Sequence, residues 1–485
     1  MINLKKNLLE NISIRQTLVK NTIWLGLAEF IDKGFLILLA VLAARYLGVV
    51  EYGKLSFALT FTSFFAVSLD LGLSTLLVVD VSRKKDLAQN YVSNILGIKL
   101  ILSVINILIL FLIANLFSNA ISADVKYLIY LFGIYTVITS FNTFFGSLFQ
   151  SSQKMQLESF SRIVQSLSLF AIAIIFILLR YPTHWIVIAY ISGSAIGLLS
   201  NLSILLRKRI VLLTPVFKIS EFINLLEKAW PFALSIIFNI IYFKIDIVML
   251  GIIKTEKEVG LYVAAYNVII LFYYLPQIVS LAVLPIMSRL YLTSQSKLKK
   301  AYQQLFDYHY IFGIFFALIL FVYSKQIIVL LFGEGYTQSH IALRILSVAI
   351  IFKYIAYTSG AVLTSINKQK KRAFYQGATS LINITLNLFL IPSFGVVGAS
   401  ISTVITEIVL AIFYYRLASK EFYYYKNFKL VTVPLILYSL IICLSLSNNI
   451  SLFWLPIIII LYLCVLSKFK LISLEIFKSI IKKFT

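Results

Sequence analysis

The sequence predicts an all-α polytopic membrane protein of about fourteen transmembrane helices, built as two parallel six-helix lobes plus two C-terminal helices. Three observations carry this. Charged residues are only 13% of the 485 and hydrophobic residues are 60%, against about 25% charged in an ordinary soluble domain. Apolar runs of about 20 residues, the length a helix needs to cross a hydrocarbon core roughly 30 Å thick, recur from near residue 21 almost to the end. The stretch from Arg45 to Lys85 has an echo some two hundred residues later: Leu47-Gly48, Gly53 and Ser82-Arg83 are matched by Leu250-Gly251, Gly260 and Ser288-Arg289. A spaced echo of this kind marks an internal repeat.

In chain order the spans fall near residues 22–44, 54–79, 91–116, 127–149, 162–179, 184–206, 230–252, 260–286, 306–332, 341–365, 373–391, 396–415, 431–446 and 451–467. The first ten residues are polar and basic, but the apolar run after Asn21 is too long for a signal-peptide core and no small-residue cleavage site follows it. It therefore stays as the first helix. Residues 1–20 form a cytoplasmic segment, 21–206 the first lobe, 207–228 a linker, 229–417 the second lobe, 418–467 an accessory helix pair and 468–485 a basic cytoplasmic tail.

Alternate connections of a fourteen-span chain share a side. Thirty-one of the 43 Lys and Arg residues then fall on one side, and only Lys54, Lys126, Arg180, Lys254, Lys257 and Lys325 on the other. By the positive-inside rule both termini are cytoplasmic, in the cytoplasmic (inner) membrane. The linker holds Pro215 and the amphipathic pattern Phe217, Ile219, Phe222, Ile223, Leu226, which predicts an interfacial helix. An even number of helices per lobe makes the repeat parallel, about an axis along the membrane normal, as in transporters that rock two halves about a central site.

The net charge of +24 is interleaved with membrane spans and builds no separate basic domain, so no nucleic-acid partner is expected. Cys443 and Cys464 lie in the last two apolar runs and read as small buried hydrophobes. His184, His309 and His340 are far apart near span ends and read as satisfied interfacial imidazoles, not metal ligands. No Gly-Lys-Ser/Thr phosphate loop is present, so no ATP or other cofactor is expected. Short outer connections leave no surface for a polymerase or ligase, and the chain is not expected to be an enzyme.

The chemistry therefore rests on ionisable groups inside spans, each costing roughly 2.5–3.5 kcal/mol at a helix centre unless it faces a cavity or a partner. Glu29 and Lys33 stand one turn apart and can pair, with Asp32 about 100° from Lys33 round the helix. Asp70 lies in the second span, Lys244 and Asp246 in the seventh, Lys353 in the tenth and Glu407 in the twelfth. Lys244 and Asp246 diverge by about 200°, so they cannot both line one cavity. Lys99 and Arg344 lie near span ends and are expected to snorkel to the interface, and Arg45 is open between that and the pathway. Phe272, Tyr273 and Tyr274 ahead of Pro276 read as helix packing rather than a sugar platform.

RYLGVVEYGKLSFA, GLYVAAYNVIILFYYLPQIVSLAVLPIMSRL from Gly260, LLFGEGYTQSHIALRILSVA from Leu330 and IPSFGVVGASISTVITE from Ile391 resemble the polysaccharide transporter family. These are the Wzx-type flippases of the multidrug/oligosaccharidyl-lipid/polysaccharide flippase superfamily. QSSQKMQLESFSR after the fourth span and NKQKKRAFYQG after the tenth look like the family's cytoplasmic loops. The resemblance implies that undecaprenyl-diphosphate-linked oligosaccharide moves from the inner to the outer leaflet by alternating access. It also implies membrane lipids and polysaccharide polymerase machinery as partners, and a last helix pair that helps accommodate the lipid tail.

From charge and depth, Lys33, Arg45, Lys244 and Lys353 are the candidates for the diphosphate or acidic sugars, because an oxyanion in low dielectric favours a fixed cation. Asp32, Asp70, Asp246 and Glu407 are the candidates for a coupling H+ or Na+. The acidic groups inside spans nearly match the cations, which leaves a neutral sugar unit open. Other readings are a lipid-linked peptidoglycan precursor flippase, a drug/cation exporter of the same superfamily and a non-transporting scaffold for glycan assembly.

Overall fold

The structure is a computed structural model and describes residues 14–117, 121–422 and Ser439. The predicted thirteenth and fourteenth spans, both cysteines and the basic tail lie outside the described residues. The chain divides into two compact units, Met1–Gly260 and Leu261–Thr485. Every described element is a helix.

The first unit contains α1 (Ile14–Phe65), α2 (Leu73–Arg83), α3 (Ala88–Leu116), α4 (Ala123–Ser151), α5 (Met155–Leu178), α6 (Thr183–Lys208), α7 (Ile219–Ile253) and the opening turn of α8 (Glu256–Thr293). The second holds the rest of α8 with α9 (Gln295–Val322), α10 (Ser324–Phe332), α11 (Ser339–Ser365) and α12 (Gln369–Phe422). Ten of these helices are long and apolar enough to cross a membrane.

Two of the ten are helix pairs. At 52 residues α1 would run about 78 Å, more than twice the thickness of a hydrocarbon core, and it breaks at Gly48 (φ 73°, ψ 175°). α12 breaks likewise at Gly395 (φ 51°, ψ −126°), three residues after Pro392. Glycine takes these angles without a Cβ clash. The breaks separate the predicted spans 22–44 from 54–79 and 373–391 from 396–415.

The predicted span 54–79 is itself interrupted. A 3₁₀ turn covers Ala66–Leu69, Leu71 and Gly72 are left-handed, and α2 restarts at Leu73. Hydropathy is continuous across this break, so apolar run length alone cannot show it.

The linker also differs from expectation. Residues 210–218 form an irregular strap laid along α3. Gln89 exchanges two 2.8 Å bonds with the backbone of Leu212, and the Val216 amide donates to the Ser93 carbonyl at 3.0 Å. Pro215 biases the preceding residue away from helix, and α3 supplies the polar partners a strap needs. The residues after it, beginning at Ile219, form the first turns of α7 rather than a separate helix, although Phe217, Ile219 and Ile223 are exposed. α7 packs on α1, α2 and α3.

Helix α3 shows why these helices read as membrane spans. Ile95, Ile98, Leu102, Leu110 and Ala114 are buried while Ile101, Val104, Leu108, Phe111 and Leu112 are exposed. Both faces are apolar, as a bilayer requires. The buried side joins Leu73, Leu77, Phe144, Leu148 and Ala229 in the core of the first unit. In the second unit α9, α11 and α12 pack together around Ile314, Leu318, Leu343, Leu346 and Ile350.

Within the first unit the echoed glycines meet. A Cβ on Gly53 would stand 1.8 Å from the Glu256 carbonyl oxygen, and one on Gly260 would stand 2.1 Å from that of Val49. Each glycine thus lets the other segment's backbone approach. Gly53→Ala is expected to cut the yield of monodisperse protein severalfold, with Gly26→Ala as the control, since a Cβ there meets nothing within 4 Å. Equal size-exclusion profiles for the two variants would contradict this.

Candidate functional site

The first unit holds a cavity of about 320 Å³, open on one side, between α1, α4, α5 and α6. Three- and four-residue spacing brings its polar groups onto common helix faces: Glu29, Asp32 and Lys33 on α1; Tyr135, Thr139, Asn142 and Thr143 on α4; Glu158, Ser161, Arg162, Gln165 and Ser166 on α5. Asn201 enters from α6.

Arg162 organises the charges. Its guanidinium reaches Glu29 at 2.7 Å and Glu158 at 3.1 Å, while Lys33 is 3.8 Å from Glu29. Ser166 donates to Asp32 at 2.5 Å. An amide chain continues inward: Asn201 donates to Asn142 at 3.0 Å, and Asn142 donates to the Ser194 carbonyl at 2.9 Å and to Gln165 at 3.2 Å. Asn201 is buried, and its Oδ1 has no hydrogen-bond donor. Three carboxylates face two cations, and the rest of the polar lining is amides and hydroxyls, groups that both donate and accept. Chemically this is a place for a ligand rich in hydrogen-bonding groups rather than for a strong anion.

Of the residues singled out from sequence, the cavity brings together Asp32, Lys33 and Glu29. It adds Glu158 and Arg162, which the sequence reading put in a cytoplasmic loop. The available signal was the i, i+4 pair inside QLESFSR: α5 begins at Met155, a full two turns before the predicted span.

The remaining candidates are elsewhere. Asp70 forms an ion pair of 2.9 Å with Lys99, whose side chain is 1% exposed. The expectation that Lys99 snorkels is thus corrected, because its ammonium is buried against a carboxylate on the interrupted span. Lys353 pairs with Glu407 at 2.7 Å, both within 4% exposure, and the ammonium lies 4.9 Å from the Tyr273 ring. Tyr273 therefore serves as packing, with Phe272 5.1 Å from Phe316. Arg344 donates to Ser324 at 2.9 Å. Lys244 donates to Ser63 at 3.2 Å, Asp246 on the same helix is buried, and Arg45 is exposed. His309 is buried and bonded to Thr358 at 2.6 Å, so it is a core imidazole rather than an interfacial one. No cluster of three or more potential metal ligands occurs among the described residues.

A sequence profile described as "Polysaccharide biosynthesis protein" matches residues 18–291, more than half of the chain. The chain belongs to this family. A MatE profile matches residues 231–389. Among curated proteins, this family member is 24% identical over 434 residues to an uncharacterized membrane protein of Methanocaldococcus jannaschii, covering 83% of this chain and 84% of the other. It is 26% identical over 174 residues, 34% of this chain and 35% of the other, to the "Probable low-salt glycan biosynthesis flippase Agl15" of Haloferax volcanii. Among solved structures it resembles the lipid II flippase MurJ in an inward closed conformation, with TM-score 0.73, 18% identity and coverage of 92% and 98%. It also resembles an inward-facing multidrug resistance MATE transporter of the MOP superfamily, with TM-score 0.68, 16% identity and coverage of 83% and 98%. The chain shares the fold of these solved structures.

Proposed function

We propose that this protein is a flippase that moves an undecaprenyl-diphosphate-linked oligosaccharide from the cytoplasmic to the outer leaflet by alternating access, coupled to an H+ or Na+ gradient. In this reading it serves surface polysaccharide export, O-antigen or capsule, alongside a polymerase, in the inner membrane with both termini cytoplasmic. The fourteen-helix, two-lobe arrangement read from the sequence belongs to the same proposal.

The observation that carries it is the cavity's lining. A sugar offers many hydroxyls, each donor and acceptor, and the Asn142, Gln165, Asn201, Thr139 and Ser166 array answers that chemistry. The unfilled acceptor Asn201 Oδ1 calls for a donor such as a sugar hydroxyl or acetamido N–H. A volume of about 320 Å³ lies at the lower end of ligand pockets and suits part of the glycan, not the whole lipid. The family match over residues 18–291 supports a glycan substrate over a drug.

Arg45 and Lys244 are kept for the diphosphate, and Lys33 is withdrawn because it faces Glu29 in a cavity with more carboxylates than cations. Lys353 is withdrawn because its ammonium is held by Glu407. For the coupling ion Asp32, which lines the cavity, is kept, while Asp70 and Glu407 are withdrawn because each pairs with a lysine.

The test reconstitutes the protein in liposomes with a fluorescent lipid-diphosphate oligosaccharide in the inner leaflet, with and without proton and sodium gradients, and lipid-linked peptidoglycan precursor as the competing substrate. Transfer above that of empty liposomes, accelerated by one gradient, is expected. Transfer equal to empty liposomes across a panel of glycans would defeat the proposal. A clear preference for the peptidoglycan precursor would replace the substrate.

A further inference from the structure

The interruption between α1 and α2 gives four oxygens a common focus. The Lys99 ammonium lies 2.9 Å from Asp70 Oδ1, 2.6 Å from Ser140 Oγ, 3.1 Å from the Leu69 carbonyl and 3.3 Å from the Ser140 carbonyl. The Phe144 ring stands 5.9 Å from the same nitrogen. The surroundings are fixed: Ser74 donates to Asp70 through both its hydroxyl and its amide, and Asn106 donates to the Phe65 carbonyl at 2.7 Å and to Ser68 at 2.9 Å. Lys99 and Asn106 are both buried.

This is the donor set of a monovalent cation site: one carboxylate, one hydroxyl and two main-chain carbonyls, one of them freed by the helix break. Unwound backbone at membrane depth is tolerated where its carbonyls find a partner, and in transporters such carbonyls coordinate ions. Here the partner is covalently attached. We propose that the α1–α2 break is a monovalent cation site that the protein fills with its own ammonium, so that no solvent ion binds at Asp70. Oxygens at 2.6–3.3 Å suit an ammonium or potassium-sized ion better than the smaller sodium. The inference concerns ion occupancy and holds whatever the transported substrate is.

The test uses full-length protein in detergent, with thermal unfolding followed by tryptophan fluorescence in choline, sodium, potassium and methylammonium chloride at equal ionic strength. Wild type is expected to melt at one temperature in choline, potassium and methylammonium, and any sodium response of wild type belongs to the coupling site proposed above and should persist in Asp70→Asn. Lys99→Ala should melt several degrees lower in choline and recover at least half of the loss in methylammonium or potassium, with sodium less effective. Lys99→Arg keeps the charge but cannot fit a planar fork into a site built around a single nitrogen, so it should also melt below wild type. Asp70→Asn combined with Lys99→Ala should show no cation response. The proposal is overturned if wild type itself is stabilised by potassium, if Lys99→Arg melts like wild type, or if the double variant is rescued as well as the single one. It is overturned equally if Lys99→Ala ignores every cation. Should Lys99→Ala not fold, the wild-type and Lys99→Arg results decide.

Discussion

Glu407→Ala is expected to destabilise the second unit by about 3–5 kcal/mol, the cost of breaking a buried ion pair by removing one partner. The reason is geometric. Lys353 and Glu407 are 2.7 Å apart at 4% and 3% exposure, and the ammonium sits over the Tyr273 and Tyr357 rings at 4.9 and 5.7 Å. Deleting the carboxylate removes the ion-pair partner of a buried ammonium. The pair itself is worth far less than this figure, because burying both charges already costs several kcal/mol per ion. Lys353→Met combined with Glu407→Leu should therefore recover most of the lost thermal stability and expression. If Glu407→Ala melts with wild type, or if the double variant is worse than the single, the pair is not the buried structural unit described here. The double variant should also keep transport, since both residues are withdrawn from the pathway.

Arg162→Ala is expected to reduce leaflet transfer at least tenfold, which corresponds to about 1.4 kcal/mol or more in the transport barrier. Arg162 bridges Glu29 at 2.7 Å and Glu158 at 3.1 Å, and Glu158 is buried. Its loss leaves a carboxylate in the cavity without its cation and turns three acids against two bases into three against one. The two consequences can be separated. Arg162→Gln with Glu158→Gln restores neutral hydrogen bonding and should return the melting temperature close to wild type, while transport stays low. Lys in place of Arg supplies a point charge instead of a two-pronged fork and should give intermediate transport. Wild-type transfer by Arg162→Ala would remove the cavity from the pathway.

Much of the fold was legible because membrane helices announce themselves one at a time. Length and apolarity identify a span without reference to its neighbours, so the runs 91–116, 127–149 and 184–206 match α3, α4 and α6 closely. The echoed Gly53 and Gly260 stood out in the sequence, and each proves to sit against the other segment's backbone. The break at residues 66–72 was not legible, since the apolar run continues on both sides of Asp70 and the Phe65 and Leu69 carbonyls find donors on another helix, Asn106 and Lys99. The site was legible only in part. Glu29, Asp32 and Lys33 stood out as charges inside a first span, but Glu158 and Arg162 were assigned to a loop because the polar start of α5 does not look like membrane.

The sequence by itself determined the all-helical membrane class and the presence of ionisable groups inside its apolar runs. These follow from composition and period, which are properties of short windows. Only the tertiary structure decided which charges meet which: Asp70 with Lys99 across 29 residues, Lys353 with Glu407 across 54, and Glu29 with Arg162 across 133. Pairing depends on where two helices cross and how each is rotated, and a helix that is apolar on every face carries no pattern that fixes its rotation. Which charges are buried, and how they divide between ion pairs and the cavity, is therefore set by packing.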